Sequence, residues 1–225
     1  MIDDAHDLES GAILECDICI IGAGAAGITL ARELSATRVR VLVLESGGTD
    51  YEDATQDLYE GTNVNPLYLG IDRFRLRFLG GSTNHWEGNC SPLDPIDFEA
   101  RDWVPHSGWP FTYADIAPFY ERAQQYCQLE GNTYDPEAWL RSSGLKPLPF
   151  DPQKVVSRIA RMSPPTRFGE VYRDDLARAE NVRVLLHANA LTLEASVNGT
   201  TVEAVRCRVL DGPRFEVRPR LGVVA

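Results

Sequence analysis

The stretch Ile18–Gly27, ICIIGAGAAG, limits the fold more than any other part of the chain. An apolar run stops abruptly at Gly22-Ala23-Gly24-Ala25-Ala26-Gly27, and a helical pattern of Ile28, Leu30, Ala31 and Leu34 starts at once. A strand must therefore turn sharply into a helix. The glycines have separate steric roles. Gly22 permits the tight turn, Gly24 leaves the backbone open to a pyrophosphate, and Gly27 lets the helix pack close to the strand. The unpaired N–H groups of Ala25, Ala26 and Gly27, at the positive end of the helix dipole, then face the phosphates. Arg40–Leu44 (RVLVL) reads as a second buried strand. Glu45 ends it, 18 residues after Gly27, where an acid accepts ribose hydroxyls. Its charge also repels a 2′-phosphate, which argues against NADP. The bland alternative is a glycine-rich turn that binds nothing. That alternative does not account for strand, glycines, helix, strand and acid standing in register.

The rest of the composition excludes several classes. The chain has 225 residues, with 44% hydrophobic residues, enough for one large domain or one and a half small ones with a packed core. A net charge of −11 and a pI near 4.8 disfavour nucleic acid, whose phosphates need clustered Lys and Arg. The N-terminus MIDDAHDLES has no basic or apolar signal region, which gives a cytoplasmic expectation. The longest apolar run, Ile18–Ala31, is short and broken by glycines, so no membrane segment is expected. Cys16, Cys19, Cys90, Cys127 and Cys207 have irregular spacing and imply no disulfide framework. Cys16 and Cys19 match C-x-x-C, but on a strand positions three apart point to opposite faces, so buried free thiols are expected. No His/Cys/Asp cluster has metal-ligand spacing.

In chain order, residues 1–15 read as a loose leader and 16–48 as the β-α-β unit. The segment 49–70 is polar and turn-rich, with a turn at Asn65-Pro66. Arg73–Leu79 (RFRLRFL) alternates arginine with large apolar residues, as in a short strand with a solvated basic edge. Thr112 and Asp115 have capping-box spacing before a helix that Gly131 ends. Residues 94–169 are an excursion outside the nucleotide fold, rich in proline from Pro136 through Pro152 to Pro165. Asp174–Ala179 reads as a short helix and Val182–Leu186 as a third buried strand. A three-stranded β-meander follows, with a type I′ turn at Asn198-Gly199. Leu221–Ala225 (LGVVA) reads as the start of another strand, as if a longer protein were cut there.

The second informative stretch is Gly80-Gly81-Ser82-Thr83-Asn84-His85-Trp86-Glu87-Gly88. Two glycines, short polar side chains and one aromatic let backbone N–H groups approach a planar polar ligand. Together with GAGAAG and Glu45, this loop resembles the glucose–methanol–choline (GMC) family of flavin-dependent oxidoreductases, whose Gly-Gly-Ser loop lies near the flavin. The sub-group with a His-Trp-Gly-Gly run is most similar, although Glu87 stands where that run has its first glycine. The resemblance runs from Asp17 to Ala225.

It implies an α/β, FAD-binding, Rossmann-like fold of the glutathione-reductase type: a parallel sheet with a three-stranded β-meander, incomplete at the C-terminus. FAD is the implied cofactor. Its contacts fall on Gly22, Ala23, Gly24, Ala25, Ala26, Gly27, Glu45, Ser46, Gly80, Gly81, Ser82, Asn84, His85 and Trp86, with Ala190 against the adenine. His85 has two readings. It is a covalent tether to the flavin, as in some family members, or it hydrogen-bonds near the cofactor, which is favoured. The implied reaction is oxidation of a CH–OH group of a sugar, polyol or other alcohol by hydride transfer to flavin N5. The family's catalytic base lies on its C-terminal half, so no catalytic residue and no metal are assigned, and activity of this chain alone is expected to be nil or very low. Other readings are a monooxygenase or reductase with the same nucleotide fold, or a non-catalytic truncated product or subunit that works with a separately encoded partner.

Overall fold

The computed structural model describes residues 1–64, 67, 70–130, 134–151 and 153–225. The expected turn at Asn65-Pro66, the helix end at Gly131 and Pro152 lie outside the described residues. The chain divides into two compact units. One comprises Met1–His85 with Arg167–Ala225, and the other Trp86–Thr166.

The first unit begins with β1 (Ile2–Asp4), β2 (Ala12–Ile21), α1 (Ala25–Leu34) and β3 (Val41–Leu44). Single turns α2 (Asp53–Gln56) and α3 (Ile71–Phe74) follow. The second unit holds β4 (Asn89–Cys90), α4 (Tyr113–Tyr126), α5 (Pro136–Ser143) and β5 (Arg161–Met162). The chain then returns to the first unit through α6 (Phe168–Val171), α7 (Arg173–Arg178), β6 (Val182–Leu186), β7 (Asn189–Ala195), β8 (Val202–Arg208) and β9 (Arg214–Val224).

In the first unit a seven-stranded sheet runs β1-β6-β3-β2-β9-β8-β7. The pairs β1–β6, β6–β3, β3–β2 and β2–β9 are parallel, and β8 is antiparallel to both neighbours. This is the expected α/β sheet with its meander. All four residues of β3 are buried, as a strand covered on both faces requires. On one side α1 packs on β2 and β3, burying Gly27, Ile28 and Ala31. A buried cluster joins Cys16, Cys19, Leu42, Leu44 and Leu185 of the parallel strands to Val205, Cys207, Phe215 and Val217 of the meander.

Several expectations are corrected. Residues 1–15 are not a loose leader. Ile2 pairs with Val184, Asp4 with Leu186, and β2 already starts at Ala12. The acidic composition hides a strand because an edge position buries little of it. Leu221–Ala225 is no separate strand but the end of β9, which pairs with β2 from Ala12↔Phe215 to Ile21↔Val224. Arg73–Leu79 is not a strand: Ile71–Phe74 forms a helical turn and the chain then runs extended from Arg75. At Asn198-Gly199 only Gly199 is left-handed (φ 70°), so the turn is not type I′, which needs both residues there. Asn198 instead uses its side-chain oxygen to accept from the Thr200 N–H at 3.2 Å.

Cys16 and Cys19 are free and buried, but on the same side of the sheet. The N–H groups of Asp17 and Ile18 both reach the Arg40 carbonyl, at 3.0 and 3.1 Å. That bulge inserts one residue and shifts the alternation, so both thiols enter one core.

In the second unit β4 and β5 form a two-stranded antiparallel pair. α4 carries the expected capping box, with the Thr112 N–H donating to Asp115 at 2.8 Å.

Candidate dinucleotide site

The chain leaves β2 through Gly22 at φ 106°, a left-handed conformation open to glycine. Gly24 caps α1 with no side-chain hydrogen bond, and a Cβ there would meet nothing within 4 Å. Gly27 is the reverse case, since a Cβ would stand 1.9 Å from the Gly22 carbonyl oxygen. Turn, open approach and close packing are thus three distinct environments. Ala23 between them is fully buried, while Ala25 and Ala26 open the helix, whose first-turn N–H groups have no intrahelical partner.

The second glycine loop comes back to this junction. The Gly80 N–H donates to the Ala23 carbonyl at 2.8 Å, and a Cβ on Gly81 would lie 3.2 Å from the Gly24 Cα. Both glycines are left-handed, at φ 97° and 52°. Gly81–Asn84 then winds into a single 3-10 turn. The Thr83 hydroxyl donates to the Gly80 carbonyl at 2.6 Å and accepts from the Phe168 N–H at 3.2 Å. The Asn84 amide donates to the Leu79 and Gly81 carbonyls at 2.9 and 3.0 Å, so it shapes the loop from within. Ser82 Oγ and His85 Nε2 both bond to the Phe74 carbonyl, at 3.2 and 3.1 Å. Because a carbonyl only accepts, His85 carries its proton on Nε2.

Glu45 is buried at the end of β3, and its carboxylate ties the loops together. One oxygen accepts from the Ala23 N–H at 2.8 Å, the other from the Gly47 N–H at 3.1 Å and the Ser46 hydroxyl at 3.3 Å. Burial pushes this carboxyl above the usual glutamate range, opposed by those bonds and by the nearby Arg77 charge. The acid read from the sequence as a ribose acceptor therefore first holds the glycine turn in place.

Two further expected site residues have surroundings of their own. Trp86 begins the second unit, where its indole N–H donates to the Thr166 carbonyl at 2.9 Å. Ala190, the second residue of β7, lines a cavity of about 400 Å³ with Arg77, Asn189 and Arg208.

Sequence reasoning missed three residues at the junction. Gly169 meets the loop so closely that a Cβ on it would stand 2.1 Å from the Leu79 carbonyl oxygen. A Cβ on Gly47 would stand 1.8 Å from the Arg77 carbonyl oxygen. Arg77, expected on a solvated edge with Arg73 and Arg75, turns inward instead. Its Nη2 donates to Asn189 at 3.0 Å and its guanidinium lies 4.7 Å from the Tyr59 ring centre. Isolated Gly169 carries no motif.

The model of the FAD dependent oxidoreductase family matches residues 17–217. The chain belongs to this family. Its cofactor is FAD. Among curated relatives, 6'''-hydroxyparomomycin C oxidase of Streptomyces lividus is 28% identical, covering 93% of this chain and 47% of that protein. Oxygen-dependent choline dehydrogenase of Acinetobacter baumannii is 32% identical over 54% of this chain and 25% of its own length. The chain thus spans about half the first of these relatives and a quarter of the second. A solved formate oxidase superposes with a TM-score of 0.53 at 16% identity, covering 94% of this chain and 45% of that one, and shares the fold. Among the described residues no helix is long and apolar enough to cross a membrane.

The residues present fit FAD. The space above Gly24 is clear, α1 offers an uncapped N-terminus to a diphosphate, and Gly81 crosses Gly24 without a side chain.

Proposed function

We propose that this chain is the FAD-holding part of a GMC-type oxidoreductase acting on CH–OH groups of a sugar, polyol or other alcohol. One observation carries the reading: the Gly80 N–H bond to the Ala23 carbonyl, at 2.8 Å, which sets the Gly-Gly-Ser loop over the dinucleotide turn. The resemblance assigns such a loop to the flavin end of the cofactor, and here it lies beside the turn that suits the diphosphate. A choline dehydrogenase among the relatives agrees with an alcohol-type donor.

FAD, when bound, would supply a two-electron acceptor for the hydride. The chain's own residues bind and orient it. The N–H groups at the start of α1 face the diphosphate. The lone pairs that remain on Glu45 suit ribose hydroxyls. Gly80 and Gly81 admit the flavin end closely, and His85 stands at the loop's exit without a covalent link, its Nε2 proton held by Phe74. None of the 225 residues is assigned as the base for the substrate hydroxyl.

Gly24→Ala tests the reading. The site is open and φ is −79°, so the variant should fold with an unchanged unfolding midpoint. It should bind FAD at least tenfold more weakly, roughly the loss of one well-placed contact of about 1.4 kcal/mol. Unchanged FAD affinity, measured by flavin fluorescence quenching, would remove the diphosphate from this turn. Acid precipitation of the holoprotein should release all yellow colour to the supernatant; colour kept in the pellet would show a covalent link.

A further inference from the structure

We propose that Asp4, His6 and His187 form a site for a single divalent transition-metal ion of the zinc class. The three residues come from the end of β1, the 3-10 turn after it and the exit of β6. One donor atom from each lies within 4.8 Å of the other two. The His6 Nδ1 stands 2.7 Å from one Asp4 oxygen and the His187 Nδ1 stands 2.8 Å from the other, with the ring centres 4.8 Å apart. An ion about 2.0–2.1 Å from each donor needs only small side-chain rotations from this arrangement.

The far side of His187 fits the same role. Its Nε2 faces Glu52 at 3.0 Å, and Glu52 also accepts from the Thr55 hydroxyl at 2.8 Å. His187 spans two carboxylates, Asp4 at 2.8 Å from Nδ1 and Glu52 at 3.0 Å from Nε2. With an ion at Nδ1 the ring proton sits on Nε2, and the outer carboxylate orients the ligating imidazole, as is usual for metal-bound histidine. One divalent ion serves both imidazoles and Asp4 together.

The backbone holds the ring in place. His187 is left-handed at φ 55°, its N–H donates to the Gly47 carbonyl at 3.0 Å, and a Cβ on Gly48 would stand 2.9 Å from its Nε2. Two neutral nitrogens and one carboxylate suit Zn²⁺, Co²⁺ or Ni²⁺ rather than Ca²⁺ or Mg²⁺. Water would complete the coordination. The chain's net charge of −11 favours a cation in general. The bound ion would clip β1 and the turn after it to the exit of β6, and it acts whether or not FAD is present.

The test uses the full 225-residue chain, stripped by chelator and dialysed. Titration with Zn²⁺ should show a site of unit stoichiometry that raises the thermal midpoint. Co²⁺ in its place should give visible bands without a thiolate charge-transfer band, which separates this site from the cysteines. His6→Ala should lower Zn²⁺ affinity at least tenfold and abolish the thermal shift, while the metal-free midpoint stays put because His6 is exposed. His187→Asn should do the same to binding, and asparagine tolerates its left-handed backbone. His106→Ala, in the second unit, should change neither. Absence of stoichiometric binding, binding unaltered in His6→Ala, or a thiolate band with Co²⁺ would each overturn the proposal.

Discussion

The two units differ in what holds them together. The first buries whole strands: β3 completely, and Val182, Val184, Leu185, Val205 and Val217 at 1% exposure or less. In the second, Phe98 is the buried apolar side chain among the described residues, beside Gln124, Ser163 and Thr166. Its large apolar groups face outward, with Trp103 at 76% and Leu148 at 70% exposure. At about 25 cal/mol per Å² of buried apolar surface, the first unit has the larger driving force by far. Its order therefore reaches down to single glycines, where tenths of an ångström matter. The second is held by caps, short hydrogen bonds and aromatic contacts such as Tyr113 on Tyr120. Precision is found where burial is dense, and that is where the dinucleotide turn sits.

The harshest way to break this comparison is Gly27→Ala. The new methyl group meets the Gly22 carbonyl oxygen at 1.9 Å, backbone against backbone, with nothing flexible to yield. We expect a cost above about 3 kcal/mol and loss of FAD binding. All four tryptophans, Trp86, Trp103, Trp109 and Trp139, lie in the second unit, so their fluorescence reads that unit while far-UV circular dichroism reads both. A Gly27→Ala protein with wild-type dichroism and melting would contradict the tight junction.

Glu45 gives the next effect. Replacing it by Ala strands the Ala23 and Gly47 N–H groups, an expected cost of about 1–3 kcal/mol in urea unfolding. Its pH dependence has a definite sign. The folded pKa is raised, so between the ordinary glutamate value and that raised value the folded state binds more protons than the unfolded one. Stability from this group is thus greatest below the ordinary value and falls as pH climbs through the folded one. The wild type should show that decline relative to Glu45→Gln. A parallel profile for the two proteins would mean that Glu45 ionises freely and is not buried as described.

The comparison sharpens further through amide hydrogen exchange. Amides of β3 and β6 should be protected to near the global stability, while those of α5, whose described side chains include none that is buried, should exchange at least tenfold faster. Equal protection in both would show that burial is a poor guide to local opening here.

Legibility followed the same division. The glycine turn, α1, β3 and β6 were readable because buried parallel strands and glycines at fixed spacing leave few alternatives. Glu45 was found, but its main partners were not, because hydrogen bonding to Ala23 and Gly47 depends on a turn closing in space. Arg77 looked like its neighbours Arg73 and Arg75, and only packing against Tyr59 and Asn189 separates it. Gly169 had no local signal at all, since its closeness to Leu79 comes from segments far apart in sequence. The bulge at Asp17 was equally silent, and it reversed the side on which Cys16 and Cys19 were expected to part. Asp4, His6 and His187 escaped a search for ligand spacing because the third of them arrives from the other end of the chain.

The smallest expected effect tests whether local devices carry the second unit. Thr112 and Asp115 form a reciprocal cap on α4, with Asp115 accepting from both the Thr112 N–H and its hydroxyl at 2.8 Å. Those bonds hold the Asp115 carboxyl below the usual aspartate range. Thr112→Ala removes the hydroxyl and leaves an end of the helix uncapped, at a cost of about 1 kcal/mol. In a unit with one buried apolar side chain among its described residues, that loss is a larger share of the total than it would be around β3. Tryptophan fluorescence should therefore report a lower urea midpoint, while FAD affinity, which depends on the first unit, stays unchanged. If the midpoint does not move, caps are not what holds α4, and the contrast drawn between the two units rests on burial alone.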